Sequence, residues 1–147
     1  MARIYDVANF DIQSGVGKLI NQLRSALFAA IDKELAPLDL TAAQYVVIAT
    51  LANCTDVSAG ELCKRVSYDP GAMTRMIDRL EQSGFVRRVP CARDRRSIRL
   101  ELTPNGREVY PKLLARVVEV LNHFLRGFTK AEAAQLTDFL KRMLANA

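Results

Sequence analysis

Five helix-start signals divide this sequence, and their order limits the folds that the chain can adopt. Three of them are capping boxes of the form Ser/Thr-x-x-Glu/Gln, in which two side chains bond backbone N–H groups reciprocally at the start of a helix. These boxes begin at Thr41, Ser58 and Thr129. In the other two signals, Asp69 and Thr103 each precede a proline, as an N-cap precedes a proline at the first helical position. The chain is therefore predicted to be mainly helical.

The predicted helices form a short group in the middle of the chain and a long group at its ends. Three short helices are predicted, over 41–53, 58–66 and 70–83. Gly84 ends the third of them, as glycine commonly does after a helix. Long helices are expected over 14–35 and after Pro104, and a closing helix after Thr129. Their apolar side chains recur along one face, but nothing in the sequence shows what these long stripes pack against.

Two segments that alternate apolar and polar side chains follow the third short helix. Residues 85–89 and 97–102 have the two-residue period of half-buried strands. In the second strand, Ile98, Leu100 and Leu102 are predicted to face inward. Three short helices followed by a two-stranded hairpin is the order of a winged helix-turn-helix. The predicted fold class is therefore mainly α with a small β part (α+β), a winged helix-turn-helix with long helices at both ends.

The net positive charge of the chain is concentrated around this predicted hairpin. The formal charge is +5, and residues 61–107 contain eleven Lys or Arg against six Asp or Glu. The remaining residues carry equal numbers of both signs. A basic concentration of this kind suits contact with phosphates, although an ordinary solvated surface explains the charge alone equally well.

Several classes of protein and site are excluded by what the sequence lacks. The longest apolar run, over 45–52, is far shorter than the roughly 20 residues that span a bilayer. The N-terminus has no signal-peptide core, so we expect a cytoplasmic protein with no membrane partner. Three widely spaced cysteines and a single histidine, His123, match neither a disulfide framework nor a zinc site. No phosphate-binding loop or nucleophile motif is present, so we expect no cofactor and no enzymatic activity.

The helix predicted over 70–83 has the composition of a DNA-recognition helix lying in the major groove. Its apolar face belongs to the core, which leaves Thr74, Arg75 and Arg79 outward. Thr74 and Arg75 can hydrogen-bond base edges or phosphates. Gly71 and Ala72 would let the helix end approach DNA closely. Considered alone, this helix could equally be an amphipathic surface helix.

The hairpin return, the wing over 89–100 with the sequence VPCARDRRSIRL, suits the minor groove, which arginine side chains enter readily. The candidate arginines are Arg93, Arg95 and Arg96. Asp94 can orient the Arg96 guanidinium through charge-assisted hydrogen bonds. A solvated, frayed loop is the alternative interpretation. Cys91 lies among these arginines, which would favour its thiolate and makes a redox switch a further hypothesis.

Three blocks of the sequence resemble, in order, the signatures of the MarR family of bacterial transcriptional regulators. Residues 40–45, LTAAQY, are similar to that family's Leu-Thr-x-x-Gln-aromatic helix opening. Residues 74–88, TRMIDRLEQSGFVRR, resemble its recognition-helix block, and residues 94–106, DRRSIRLELTPNG, resemble its Asp-x-Arg wing followed by Leu-Thr-x-x-Gly. The resemblance covers nearly the whole chain.

The resemblance implies a single MarR-like chain over 1–147 with two lobes. Residues 38–104 would form the winged-helix DNA-binding lobe. Residues 11–37 and 105–147 would form a helical lobe that intertwines with a second copy in an obligate homodimer. The long apolar stripes at the two ends of the chain would then have a partner, and the operator should be pseudo-palindromic.

The resemblance also implies roles for individual side chains. Arg96 would be the arginine that enters the minor groove, and Asp94 would steady it. Residues 71–75 would meet base edges, while Arg79, Arg87 and Arg88 would contact phosphates or form structural pairs.

The function implied is sequence-specific binding of double-stranded DNA by a transcriptional regulator, most naturally a repressor. Many members of the family bind small phenolic or anionic effectors, and no residue of this chain identifies such a ligand. The alternative is a winged-helix module that contacts proteins and binds no specific DNA.

Overall fold

The computed structural model describes residues 3–8, 10–66, 68–91 and 98–147 of the chain. Within these residues the chain forms six α-helices, one 3-10 turn and three short β-strands. In chain order they are α1 (Val16–Leu35), the 3-10 turn Ala36–Leu38, α2 (Ala42–Asn53), β1 (Val57–Ser58), α3 (Ala59–Val66), α4 (Pro70–Gln82), β2 (Val86–Pro90), β3 (Ile98–Leu102), α5 (Pro104–Phe124) and α6 (Lys130–Leu144). The predicted fold class, a mainly helical winged helix-turn-helix, is confirmed.

At all five predicted helix starts, the side chain that the sequence indicated caps the helix. The hydroxyls of Thr41 and Thr129 accept the N3 backbone N–H in complete capping boxes at α2 and α6. Ser58 makes the same reciprocal bonds with Glu61 at the start of α3, at 2.7 and 3.2 Å. The side chains of Asp69 and Thr103 cap α4 and α5, each directly before a proline. These helices begin where local chemistry dictates.

The three strands form one antiparallel sheet in the order β1-β3-β2. The hairpin register runs from Val86 opposite Leu102 to Pro90 opposite Ile98. The two-residue strand β1, which the sequence analysis did not predict, pairs with the other edge of β3. Leu100 and Leu102 are buried as predicted.

The inward orientation predicted for Ile98 is wrong, since this side chain is 55% exposed. The alternation of β3 is correct, but Ile98 pairs with exposed Pro90 at the end of the ladder farthest from Val86 and Leu102. At that end the strands extend beyond the hydrophobic core. Periodicity therefore gave the face of the strand correctly but not the point at which burial stops.

A close backbone approach joins the end of α4 to the start of α5. Gly84 has a φ of +75°, and its carbonyl oxygen accepts a hydrogen bond from the Thr103 hydroxyl at 2.5 Å. The Phe85 carbonyl oxygen accepts from the Thr103 N–H at 3.0 Å. A Cβ on Gly106 would lie only 2.1 Å from that same carbonyl oxygen. The Leu-Thr-x-x-Gly pattern of the sequence is thus required by this packing.

The core lies among α2, α3, α4, the sheet, the C-terminal half of α1 and the middle of α5. Its most deeply buried large side chains are Leu35, Ile48, Leu62, Met73, Ile77, Leu80 and Leu113. By contrast, α6 contributes no buried residue. The N-terminal half of α1 also leaves its apolar side chains exposed, although Ile31 and Leu35 near its other end are buried.

No single helix in the described ranges is long and apolar enough to cross a bilayer. Taken with the 3-10 turn and α2, α1 has the necessary length and composition, but the two helices meet at 81°. Four residues of α2 are also buried in the core of this domain.

Candidate nucleic-acid interface

The predicted DNA-contacting residues of α4 lie together on its exposed side. Met73, Ile77 and Leu80 point into the core and fix the rotation of the helix about its axis. Four candidate residues are exposed and a fifth is half-buried; they are Gly71, Thr74, Arg75 and Arg79, with Ala72. The helix therefore presents one polar, positively charged face whose N-terminal end carries the smallest side chains.

The Thr74 side chain forms a hydrogen bond within its own helix. Its hydroxyl donates to the Pro70 carbonyl oxygen at 2.9 Å. Since a hydroxyl has one hydrogen and two lone pairs, this rotamer leaves Thr74 as an acceptor toward solvent. It could accept from a base amino group without breaking the bond to Pro70.

The two arginines of α4 are available to an external anion. Among the described residues, no carboxylate forms an ion pair with Arg75 or Arg79. Together with Ala72 and Met76 they line a cleft of about 220 Å³ that also includes Thr41 and Gln44 from the start of α2. The Ala42 N–H at the start of α2 already donates to the Asp32 carboxylate at 2.7 Å, so the positive character of this cleft comes from the two arginines.

Arg88, the second arginine of β2, forms structural pairs with α4. It donates to the Asp78 carboxylate at 2.6 Å and also bonds the Glu81 carboxylate. Its own backbone N–H donates to Glu81 at 3.2 Å. The hydrogen bond to Asp78 is the main reason that the pKa of Arg88 lies above its ordinary value. Arg88 attaches β2 firmly to the recognition helix.

Arg87 points to the other face of β2 and pairs with Glu101 directly across the ladder. Its Nε and Nη2 both donate to one carboxylate oxygen, at 3.2 and 2.9 Å. The Arg87 side chain remains 57% exposed. Exposed pairs of this kind contribute little to stability, so Arg87 can exchange Glu101 for a phosphate at small cost.

The wing candidates Arg93, Asp94, Arg95 and Arg96 lie outside the described residues. The structure describes the strands on either side of them, in which Pro90 of β2 is directly paired with Ile98 of β3. The hairpin predicted to carry these residues is present.

Cys91 differs from its expected position at an exposed wing tip. It is buried, with 6% of its surface exposed. Its side chain is the main reason that the pKa of Arg99 lies above its ordinary value. Burial restricts access of oxidants to the thiol, so the redox hypothesis gains no support from the position of Cys91.

Arg99 is the residue at this site whose role the sequence analysis missed. Its side chain is 23% exposed and pairs with Asp56 and Glu61. Alternation along β3 correctly indicates that Arg99 faces away from the apolar core. No local sequence signal identifies its partners, because they are brought to Arg99 by the pairing of Ser58 in the two-residue strand β1.

Comparison with known proteins places these features in one family. The sequence model of the MarR family matches residues 40–98. The multiple antibiotic resistance protein MarR of Escherichia coli K12 is 34% identical over 130 residues, covering 88% of this chain and 90% of that protein. The HTH-type transcriptional repressor MdtR of Bacillus subtilis is 30% identical over 133 residues, covering 90% of this chain and 83% of MdtR.

Solved structures agree with the sequence relatives. A crystal structure of mutant MarR from E. coli complexed with operator DNA superposes with a TM-score of 0.81 at 32% identity, covering 95% of this chain and 99% of that one. The transcriptional regulator SlyA superposes with a TM-score of 0.83 at 26% identity, covering 90% of this chain and 94% of SlyA.

Proposed function

This chain belongs to the MarR family of transcriptional regulators, and we propose that it represses transcription as a homodimer bound to a pseudo-palindromic operator. It is a sequence-specific DNA-binding regulator and not an enzyme. The observation that carries the proposal is the exposed face of α4, on which Arg75 and Arg79 lie beside the start of α2 without a carboxylate partner among the described residues.

In this proposal α4 enters the major groove of double-stranded DNA. Thr74 and Arg75 address base edges, and Gly71 and Ala72 let the helix end approach the bases closely. Arg79 contacts phosphate. The support for these positions is the exposed face of the helix, whose orientation is fixed by the buried apolar face opposite.

The wing supplies the second set of contacts. Arg96 enters the minor groove, Asp94 orients it, and Arg93 and Arg95 bind the flanking backbone. Arg87, at the base of the hairpin, adds a phosphate contact by releasing Glu101. The support for these roles is the sequence signature of the wing together with the paired strands on either side of it.

The support for the homodimer is the apolar surface at the two ends of the chain. We assign residues 38–104 to the DNA-binding lobe, and 11–37 with 105–147 to the dimerisation lobe. Exposed apolar side chains occur on all three end helices: Val16, Leu19, Ile20 and Leu23 on α1, Leu114, Val118 and Leu121 on α5, and Phe139, Leu140 and Met143 on α6. A helix such as α6, with no buried residue, gains too little from its own subunit to be stable alone.

Repression is relieved, in this proposal, by a small phenolic or anionic effector. A cavity of about 370 Å³ between α1 and α5 has the size of a small-ligand site. Its lining combines Lys33 and His123 with the carboxylates of Glu34 and Glu119 and with apolar Val120 and Phe124, so it favours a phenolic ligand over an anion.

Selection of genomic DNA fragments by the purified protein tests the function directly. Enrichment of one pseudo-palindromic sequence, bound by a dimer, is the expected outcome. Affinity for that sequence should fall steeply between low and moderate salt, because arginines displace counterions from phosphates. Absence of any enriched sequence, with capture of a protein partner by the same surface, would favour a protein-interaction module instead.

A further inference from the structure

Arg99 lies in the middle strand of the sheet, where its guanidinium group contacts three different segments of the chain. Its Nε lies 3.2 Å from the Asp56 carboxylate, and Nη1 donates to the Asp56 carbonyl oxygen at 2.9 Å. Nη1 also donates to the Glu61 carboxylate at 3.0 Å. Cys91 is the largest cause of the raised pKa of Arg99. Two hydrogen bonds from Nη1 and the ion pair with Asp56 therefore hold a side chain that the charge count alone would assign to the DNA-binding surface.

Each partner of Arg99 belongs to a different part of the DNA-binding lobe. Asp56 lies in the turn between α2 and β1, Glu61 in the first turn of α3, and Cys91 directly after β2. Because Arg99 itself belongs to β3, one side chain joins both arms of the hairpin to the start of the helix-turn-helix pair. The backbone pairing of β1 with β3 covers only two residues, so it provides little attachment by itself.

The two carboxylates are placed for this contact before DNA is present. Asp56 has a φ of +62°, a left-handed conformation that residues other than Gly, Asn and Asp rarely adopt. In this conformation both its carboxylate and its carbonyl oxygen reach Arg99. The Glu61 oxygen that accepts from Arg99 also accepts from the Ser58 N–H, and this backbone bond is the main reason that the pKa of Glu61 is lowered.

We propose that Arg99 is a positioning residue for DNA binding, which holds the β2–β3 hairpin at a fixed orientation to α3 and α4 without contacting DNA itself. The inference rests on the proposed function, in which the wing and α4 bind the same DNA molecule. Arg88 attaches β2 to α4, and Arg99 attaches β3 to β1 and α3. Attachment of both strands reduces the conformational freedom that β2 and β3 would otherwise lose when DNA binds.

The electrostatic consequence distinguishes this role from a phosphate contact. Two carboxylates already neutralise the Arg99 guanidinium, whereas Arg75 and Arg79 have no carboxylate partner among the described residues. Removing an arginine that binds a phosphate lowers the salt dependence of affinity by about one counterion. Removing Arg99 should weaken binding and leave that salt dependence unchanged, because all phosphate contacts still form in the complex.

The test compares the full-length dimer with the variant Arg99→Met, which keeps the aliphatic stem and loses the guanidinium. Operator affinity should fall about tenfold, by the scale of other lost contacts at protein–DNA interfaces, with the same slope against salt. Without DNA, amide hydrogen exchange should rise in β1, β2 and β3 and remain unchanged in α4 and α5. Lys112→Met is the matched control, since it removes one charge from an exposed pair with Glu108 on α5 and should change neither quantity.

A second variant changes a carboxylate partner of Arg99 instead of Arg99 itself. Asp56→Asn keeps a residue type that tolerates the left-handed conformation and removes one of the two carboxylate charges. It should shift affinity and strand exchange in the same direction as Arg99→Met, by a smaller factor. It also tests the proposal if Arg99→Met fails to form a dimer.

The outcomes separate this inference from the proposed function. If the wild-type protein selects no DNA, the proposed function fails, and unchanged strand exchange in both variants would overturn the attachment as well. If the wild type binds its operator and Arg99→Met binds equally well, only the positioning role is overturned. A slope reduced by about one, with unchanged exchange, would identify Arg99 as a phosphate contact and also overturn the proposal.

Discussion

The DNA-binding lobe and the end helices use apolar side chains in opposite ways. In residues 38–104, the helices and the sheet bury side chains such as Ile48, Leu62 and Leu80 completely within one chain. In α6, the equivalent periodic stripe remains exposed, with Phe139 46% accessible. A stripe at helical spacing shows which face will be covered, but it does not show whether the covering surface belongs to the same chain.

α1 contains both situations within one helix. Near its C-terminal end Ile31 and Leu35 are buried in the subunit core, whereas Leu19 and Leu23 in the preceding turns are exposed. One continuous apolar stripe of α1 is thus buried within the subunit at one end and exposed at the other. The helix connects the core of the subunit to the apolar surface that we propose is covered by a second copy.

The largest expected effect comes from removing the helix that depends most on a partner. Deleting residues 130–147 should abolish the dimer and DNA binding together, because no residue of α6 is fully buried within its own subunit. Size-exclusion chromatography with light scattering should show monomer or aggregate. A well-folded truncated dimer would contradict the assignment of α6 to the interface.

A substitution in the self-contained core should act on folding instead. Leu80→Ala should lower the free energy of unfolding by about 2–5 kcal/mol, because it leaves a cavity where the side chain is fully buried. Urea denaturation followed by circular dichroism measures this change. Val7→Ala is the control, since Val7 is 97% exposed, lies outside both lobes, and its truncation should cost less than about 0.5 kcal/mol. Equal effects at the two positions would contradict the role of Leu80 in the core.

A substitution in the wing should change DNA affinity and neither folding nor dimerisation. Arg96→Ala should reduce operator affinity by about 1–3 kcal/mol and leave both dimerisation and stability unchanged. Fluorescence anisotropy with labelled operator measures the affinity, and sizing confirms the dimer. Binding equal to wild type would show that Arg96 does not enter the groove.

The two complete capping boxes permit a matched pair of smaller perturbations. Thr41→Ala and Thr129→Ala each remove a hydroxyl that accepts an N3 backbone N–H, which should cost about 1 kcal/mol of helix stability. At α2 the loss should appear in the urea midpoint at every protein concentration. At α6 it should appear mainly as weaker dimerisation, so that the midpoint becomes more sensitive to dilution. The same dilution behaviour for both variants would contradict the division into lobes.

The smallest expected effect is a pH dependence shared by both regions. Hydrogen bonds from the backbone N–H groups of Ser58 and Thr129 lower the pKa of Glu61 and Glu132 below the usual glutamate value. Since the unfolded chain then binds these protons more readily, the stabilisation is present above the unfolded pKa and is lost as pH falls through the folded one. The stability advantage of wild type over Glu61→Gln or Glu132→Gln should therefore shrink on acidification, as measured by urea midpoints. A pH-independent advantage would show that the charge is not involved.

Local chemistry made the helices predictable from the sequence. The side chains of Thr41, Asp69 and Thr103 bond N–H groups only three residues away, so short stretches contain the whole signal. The exposed face of α4 was predictable for a similar reason, since three buried side chains define the opposite face.

The features that were missed depend on residues far apart in the chain. β1 has two residues and no pattern of its own, because its pairing is determined by β3 some forty positions later. Arg99 was counted as part of the basic surface, yet Asp56 and Glu61 neutralise it. The burial of Cys91 has the same origin, since a sequence pattern cannot show which side of a hairpin a neighbouring turn will cover.

The close approach at Gly106 couples movements of α5 to the recognition helix α4. There is no room for a side chain between the first turn of α5 and the Phe85 carbonyl, and Thr103 bonds both Gly84 and Phe85. These segments cannot slide past each other, so a rotation of α5 carries the end of α4 with it. In a dimer, the angle between the two α5 helices would thus be converted into the separation of the two recognition helices.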